Sequence, residues 1–261
     1  MTEKIIVEKT GAILRIIFNQ PEKRNAVSLE MWEAVEAALT KYAPDPSVRV
    51  LIMSGAGGKA FVSGADISKF ESERSSAEAV EYYNSTTTRV YDMVEAFPKP
   101  TIAQINGFCV GGGVALSVCC DIRICGEGSA FAIPAARLGL GYGFPGINRL
   151  ANLVGPAFAK EIFFTARRYN SDEVLRMGLV NHVVEDEKVA AKAEEMASQI
   201  IGNAPMTVDA VKFIANQTRM DGSQRDLRAC SDMVQACFDS ADYIEGRRAF
   251  MEKRKPIWQG K

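Results

Sequence analysis

Three consecutive glycines, Gly111–Gly113, constrain this chain more than any other feature of its sequence. They follow residues 101–107, a run typical of a β-strand, and they precede an apolar segment with helical spacing that starts at Val114. A strand that ends in glycines and opens into a helix exposes unpaired N–H groups at the positive end of the helix dipole. Such a corner is suited to bind negative charge.

A second strand-to-helix corner lies earlier, at residues 59–67, with Ser63, Gly64 and Ala65 at its tip. Two such corners can direct two N–H donors at one oxygen atom. A simpler interpretation is that the triple glycine only permits tight contact between a helix and a strand. The presence of both corners leads us to favour a functional role for them.

Composition sets the broad class. A chain of 261 residues with 47% hydrophobic and 24% charged residues is typical of a globular protein with a sizeable core. A net charge of −1 argues against a nucleic-acid partner. The six cysteines form no CxxC pair, so we expect reduced core thiols and neither a metal site nor disulfides. Without a signal-peptide pattern or an apolar run of about 18 residues, we expect no membrane segment and a cytoplasmic location.

The first half of the chain alternates between strand and helix patterns. We predict strands at 5–8, 13–18, 48–53, 101–106 and 121–125, and helices at about 28–42 and 77–97, the first of them capped by Ser28. This alternation favours parallel strands joined by crossover helices. Helical patterns dominate after Gly155, at about 186–201, at 206–217 and through much of 222–255. We therefore predict an α/β core over residues 1–200 and a helical region over 201–261.

Several short motifs occur in an ordered set that spans nearly the whole chain. They are NQP at 19–21 with NA at 25–26, AFVSGADI at 60–67, KP at 99–100 leading to NG at 106–107 and the triple glycine, CDI at 120–122, GLV at 178–180 and AFMEKR at 249–254. The set resembles the crotonase family, also called the enoyl-CoA hydratase/isomerase superfamily. The resemblance implies a spiral of ββα units with a helical C-terminal region for trimerisation. It implies homotrimers or dimers of trimers, and an acyl-CoA substrate whose CoA is the only cofactor.

The resemblance also implies a binding site for the thioester. In this family two backbone N–H groups hold the thioester oxygen, and on this chain they belong to Ala65 and Gly112. Lys23, Arg24 and Lys59 match positions near the phosphates and adenine of CoA. Phe250 and Lys253 match positions that reach the nucleotide bound by an adjacent subunit.

The chain departs from the family's hydratases at two positions. Those enzymes use two glutamates, and the matching positions here are Ala115 and Ala135. Because alanine cannot transfer a proton, and each acid–base function contributes about 10²–10⁴-fold, we expect ordinary hydration to be impaired. The family's isomerases depend on the second glutamate, so isomerisation is disfavoured too.

Three hypotheses for the function remain open. The first is a hydratase-family enzyme that stabilises a thioester enolate. The second is a decarboxylase of malonyl-type thioesters, because Tyr142 matches a tyrosine of the family's methylmalonyl-CoA decarboxylases, although these have histidine where this chain has Ala65. Arg137 is then a candidate partner for the substrate carboxylate. The third is a non-catalytic acyl-CoA-binding subunit. Asp66 is predicted to cap a short helix and His182, the sole histidine, to be structural.

Overall fold

The structure is a computed structural model that describes residues 2–69, 73 and 75–261. Over these residues the strands are β1 (Ile5–Thr10), β2 (Ile13–Phe18), β3 (Val50–Gly55), β4 (Ala60–Val62), β5 (Thr101–Ile105), β6 (Phe108–Val110), β7 (Ile122–Gly126), β8 (Ala130–Ala132), β9 (Tyr169–Asn170) and β10 (His182–Val184). The α-helices are α1 (Leu29–Tyr42), α2 (Ala77–Glu95), α3 (Gly112–Ser117), α4 (Phe144–Thr165), α5 (Ser171–Arg176), α6 (Val189–Ile201), α7 (Pro205–Gln217), α8 (Leu227–Asp239) and α9 (Ala241–Met251).

The strands form two sheets. The larger sheet has the order β1-β2-β3-β5-β7-β10 and the smaller one β4-β6-β8-β9. Strands β3, β5 and β7 lie in the large sheet, and each is followed by a strand of the small sheet, so the chain visits both sheets in every turn. All pairings are parallel except β1 with β2 and β8 with β9. The predicted α/β architecture of ββα turns is confirmed.

The large sheet is covered on both faces, as the apolar run of β3 suggests. Successive side chains of a strand point to opposite faces. Leu51 and Met53 accordingly join the main core, whereas Val50 and Ile52 pack with Val189 and other residues of α6 on the opposite face. The sheet therefore forms a rigid base for the loops that follow its strands.

The helical pattern predicted through much of 222–255 corresponds to two helices, α8 and α9. The Ser240 hydroxyl accepts a hydrogen bond from Tyr243 N (3.1 Å) and caps the start of α9. The predicted cap at Ser28 is wrong. Ser28 precedes α1, but its side chain does not cap the helix. The Leu29 N–H donates instead to the carboxylate of Glu73 (3.1 Å), a residue distant in sequence.

Among the described residues, no helix is both long enough and apolar enough to span a bilayer.

Candidate active site

The two corners singled out in the sequence meet in the structure. They follow β4 and β6, which are parallel neighbours in the small sheet, so the carboxyl ends of these strands lie side by side. A Cβ atom built on Gly112 would lie only 3.9 Å from Gly64 Cα. The corner that carries Ala65 therefore contacts the first turn of α3.

The three glycines have different roles. Gly111 adopts a left-handed conformation (φ 55°), which favours glycine, and its N–H donates to Ala132 O (2.8 Å). A Cβ on Gly113 would lie 2.1 Å from Val62 O, so this glycine permits the tight helix–strand contact. A Cβ on Gly112 would meet only Tyr91 Oη (3.2 Å) and Gly64 Cα within 4 Å. Tight backbone packing thus accounts for Gly113, whereas the Cβ position of Gly112 borders the Tyr91 hydroxyl.

Two backbone donors at this contact have no acceptor. Among the described residues, the N–H groups of Ala65 and Gly112 make no hydrogen bond, whereas those of Asp66 and Gly111 do. Asp66 N donates to Val27 O (2.9 Å), and Val27 N donates to Gly64 O (2.8 Å). Gly112 is the first residue of α3, where an N–H has no partner within the helix. Two free donors on touching corners are suited to bind an oxygen that gains negative charge.

Asp66 stabilises the corner that carries Ala65, and its predicted role as a helix cap is confirmed. Its carboxylate accepts from Ser68 N (3.1 Å) and from Lys23 Nζ (2.9 Å). Burial opposes ionisation, but the hydrogen bonds from Ser68, Lys23 and Gln20 lower the pKa of Asp66 from 3.8 to about 2. Lys23, a predicted CoA neighbour, is therefore tied to the residue that follows Ala65.

The two alanines at the predicted acid positions lie on the elements that follow β6 and β8. Ala115 is half-buried on α3, and its N–H donates to Gly111 O (3.1 Å). Ala135 is buried in the 3₁₀ turn Pro134–Leu138 and packs against the core. Both side chains are methyl groups, so neither can donate or accept a proton.

Two tyrosines lie near these elements. Tyr142, in the loop before α4, packs edge-to-face on Phe163 with ring centroids 4.9 Å apart. Tyr91, on α2, donates from Oη to Gly112 O (3.4 Å) and packs edge-to-face on Trp32. Burial raises the pKa of both phenols, and the nearby Tyr142 adds to the rise at Tyr91. Both hydroxyls therefore stay protonated at neutral pH.

A family model described as enoyl-CoA hydratase/isomerase matches residues 8–261. The chain belongs to this family. Its fold and its assignment to the crotonase-type lyases, which process acyl-CoA substrates, are thereby confirmed.

Named relatives of this enoyl-CoA hydratase/isomerase family member cover nearly its whole length. A crotonyl-CoA hydratase of Syntrophomonas wolfei is 38% identical over 253 residues, which is 97% of this chain and 96% of that protein. A short-chain-enoyl-CoA hydratase of Clostridium acetobutylicum is 36% identical, covering 96% and 95%. The crystal structure of an enoyl-CoA hydratase from Bacillus anthracis aligns with a TM-score of 0.90 at 34% identity, covering 99% of this chain and 100% of that one.

The other predicted site residues of this family member lie on several different elements. Lys59 is exposed in the loop before β4, and Arg24 stacks over the Phe108 ring, 4.8 Å from its centroid. Arg137 is exposed on the 3₁₀ turn. Phe250 is 83% exposed at the end of α9, and the exposed Lys253 follows it. Their predicted contacts with CoA stay predictions.

Two other sequence predictions concern residues outside the corners. His182 is half-buried in β10 and pairs with Ile124 of β7, which is consistent with a structural role. Cys109, Cys119, Cys120 and Cys125 are buried thiols. Burial raises the pKa of Cys120 to about 12, so this thiol is a poor nucleophile.

Sequence reasoning missed Tyr91. It lies in the middle of the predicted helix 77–97, where an aromatic residue indicates only a core contact. Its position beside Gly112 depends on how α2 packs against α3, which no local pattern records.

Proposed function

We propose that this enzyme stabilises the enolate of an acyl-CoA thioester between the N–H groups of Ala65 and Gly112. The single observation that carries the proposal is the pair of unpartnered donors on two corners in contact. As an enolate forms beside a thioester, negative charge develops on the carbonyl oxygen. Preorganised donors stabilise that charge, and the loss of one costs about 2.7–4 kcal/mol in comparable sites.

We further propose that hydration of an enoyl-CoA is slow on this enzyme. Addition of water requires one group that activates the water and one that delivers a proton. The methyl groups of Ala115 and Ala135 supply neither function. The relatives named hydratases therefore support an acyl-CoA substrate, but they do not support a fast hydration rate.

Decarboxylation of a malonyl-type thioester is a second candidate. The carbon–carbon bond to the carboxylate breaks, CO₂ leaves, and the electron pair remains as the enolate, so no base has to remove a proton. The enolate carbon then takes up one proton. Tyr142 supports this candidate because it is half-buried and its hydroxyl stays protonated, which suits orientation of a carboxylate by a hydrogen bond.

Parallel assays test these proposals. Crotonyl-CoA and methylmalonyl-CoA are offered at equal concentrations while enoyl absorbance and released CO₂ are followed. We expect slow hydration and measurable CO₂ release. Rapid hydration would contradict the argument from the two alanines. Tight binding of both thioesters without turnover would instead support the non-catalytic acyl-CoA-binding subunit.

The proposed homotrimer or dimer of trimers rests on the C-terminal helices. Apolar side chains there are unusually exposed, including Phe250 (83%) and Met251 (80%). Sedimentation equilibrium should give three or six times the mass of the chain, and a monomer at micromolar concentration would contradict the proposal.

A further inference from the structure

We propose that Tyr91 delivers a proton to the substrate carbon next to the thioester. The inference rests on the proposed function, because it requires the thioester oxygen to lie at Ala65 and Gly112. Decarboxylation and hydration both end with protonation of this carbon, so the role does not depend on which of them the enzyme performs.

The hydroxyl lies at the meeting point of the two corners. Tyr91 Oη is 3.2 Å from the position of a Cβ on Gly112, and Gly64 Cα is 3.9 Å from the same position. Apart from Gly111–Gly113 and the backbone of α3, no other heavy atom of the described residues lies within 4 Å of this position. The phenol is therefore the polar side chain that borders Gly112 on this side.

The hydroxyl makes only a weak hydrogen bond within the protein. Its hydrogen bond to Gly112 O measures 3.4 Å, which is long for an O–H donor. Tyr82 on the same helix shows the contrast, since its hydroxyl donates to Glu33 Oε1 at 2.9 Å. A donor held so loosely can turn towards a ligand at low cost.

The ring that carries this hydroxyl is held in place by its neighbours. It packs on Trp32 with centroids 5.4 Å apart. The next residue, Asp92, pairs with Arg149 of α4, and Glu95 binds the same guanidinium at 2.8 Å. Because Arg149 is only 8% exposed, this double ion pair fixes the turn of α2 around Tyr91.

The chemistry suits a donor rather than a base. Burial first, and then the nearby Tyr142 and Cys119, raise the pKa of Tyr91, so the phenol keeps its proton at neutral pH. In the step itself the O–H bond breaks and a C–H bond forms at the enolate carbon. Water then returns a proton to the tyrosinate, so the net proton comes from solvent.

The test compares Tyr91→Phe with Tyr82→Phe, which removes a surface hydroxyl from the same helix. Each variant is assayed in D₂O with whichever of crotonyl-CoA and methylmalonyl-CoA the wild type turns over. We expect Tyr91→Phe to lower kcat by about 10²-fold with little change in KM. We also expect the product to lose its stereochemical preference for deuterium at the carbon next to the thioester.

Other outcomes have distinct meanings. If Tyr91→Phe matches Tyr82→Phe in rate and stereochemistry, the proton comes from elsewhere and the inference is overturned. If kcat falls with an unchanged stereochemical preference and a lower melting temperature, the hydroxyl only supports α3, which also overturns it. A wild type inactive on both thioesters overturns the proposed function and this inference with it.

Discussion

The backbone part and the side-chain part of the candidate site differ in origin. The donors at Ala65 and Gly112 are main-chain groups, placed by two parallel strands and by glycines that allow close contact. At Ala115 and Ala135, where acids were expected, the capacity for proton transfer depends only on the identity of the side chain. Main-chain donors placed by the fold therefore do not depend on which side chains lie beside them.

The largest effect is expected when glutamate is introduced at both alanine positions. We predict that Ala115→Glu combined with Ala135→Glu raises crotonyl-CoA hydration by at least about 10²-fold, because each acid–base function contributes about 10²–10⁴-fold. Steady-state enoyl absorbance measures the gain. The matched control is the Gln pair, which has the same shape without proton transfer. An equal rate for both pairs, with melting temperatures near that of the wild type, would contradict the prediction.

The next largest effect is expected when the backbone donor at Ala65 is removed. Ala65→Pro replaces the free N–H by a methylene, and we expect turnover of the preferred thioester to fall by about 10²–10³-fold. Ala65→Gly keeps the donor and serves as the control. If both variants retain wild-type kcat, this N–H does not contact the reacting oxygen.

A smaller effect is expected from the hydroxyl of Tyr142. Tyr142→Phe retains the ring on Phe163 and removes one hydrogen bond to a substrate carboxylate, worth about 1.5–3 kcal/mol, or roughly 10–100-fold. CO₂ release from methylmalonyl-CoA should fall by this factor, while hydration of crotonyl-CoA should not change. An equal loss in both reactions would indicate a packing role instead.

The smallest effect concerns the stability of the first corner. Because the pKa of Asp66 is about 2 in the folded protein and 3.8 ordinarily, its ionised form stabilises the fold above about pH 4, and this contribution is lost as the pH falls through 2. We predict that Asp66→Asn costs about 1 kcal/mol at pH 7, because the ion pair with Lys23 is lost while asparagine remains a good helix cap. Urea unfolding should show this difference at pH 7 and show it vanish near pH 2. A difference independent of pH would contradict the role of the charge.

Local patterns predicted the parts of the site that local structure builds. The two corners and the cap at Asp66 are strand–turn–helix features, so their glycines and small residues reveal them directly. Tyr91 and the contact of Glu73 with Leu29 join elements far apart in sequence. Such contacts depend on how helices pack, so local sequence patterns do not predict them.

A crystal structure with a non-hydrolysable acyl-CoA analogue tests the central claim most directly. We expect the oxygen corresponding to the thioester carbonyl to lie about 2.7–3.1 Å from both Ala65 N and Gly112 N. An analogue bound with this oxygen away from both nitrogens, or held by side chains alone, would contradict it.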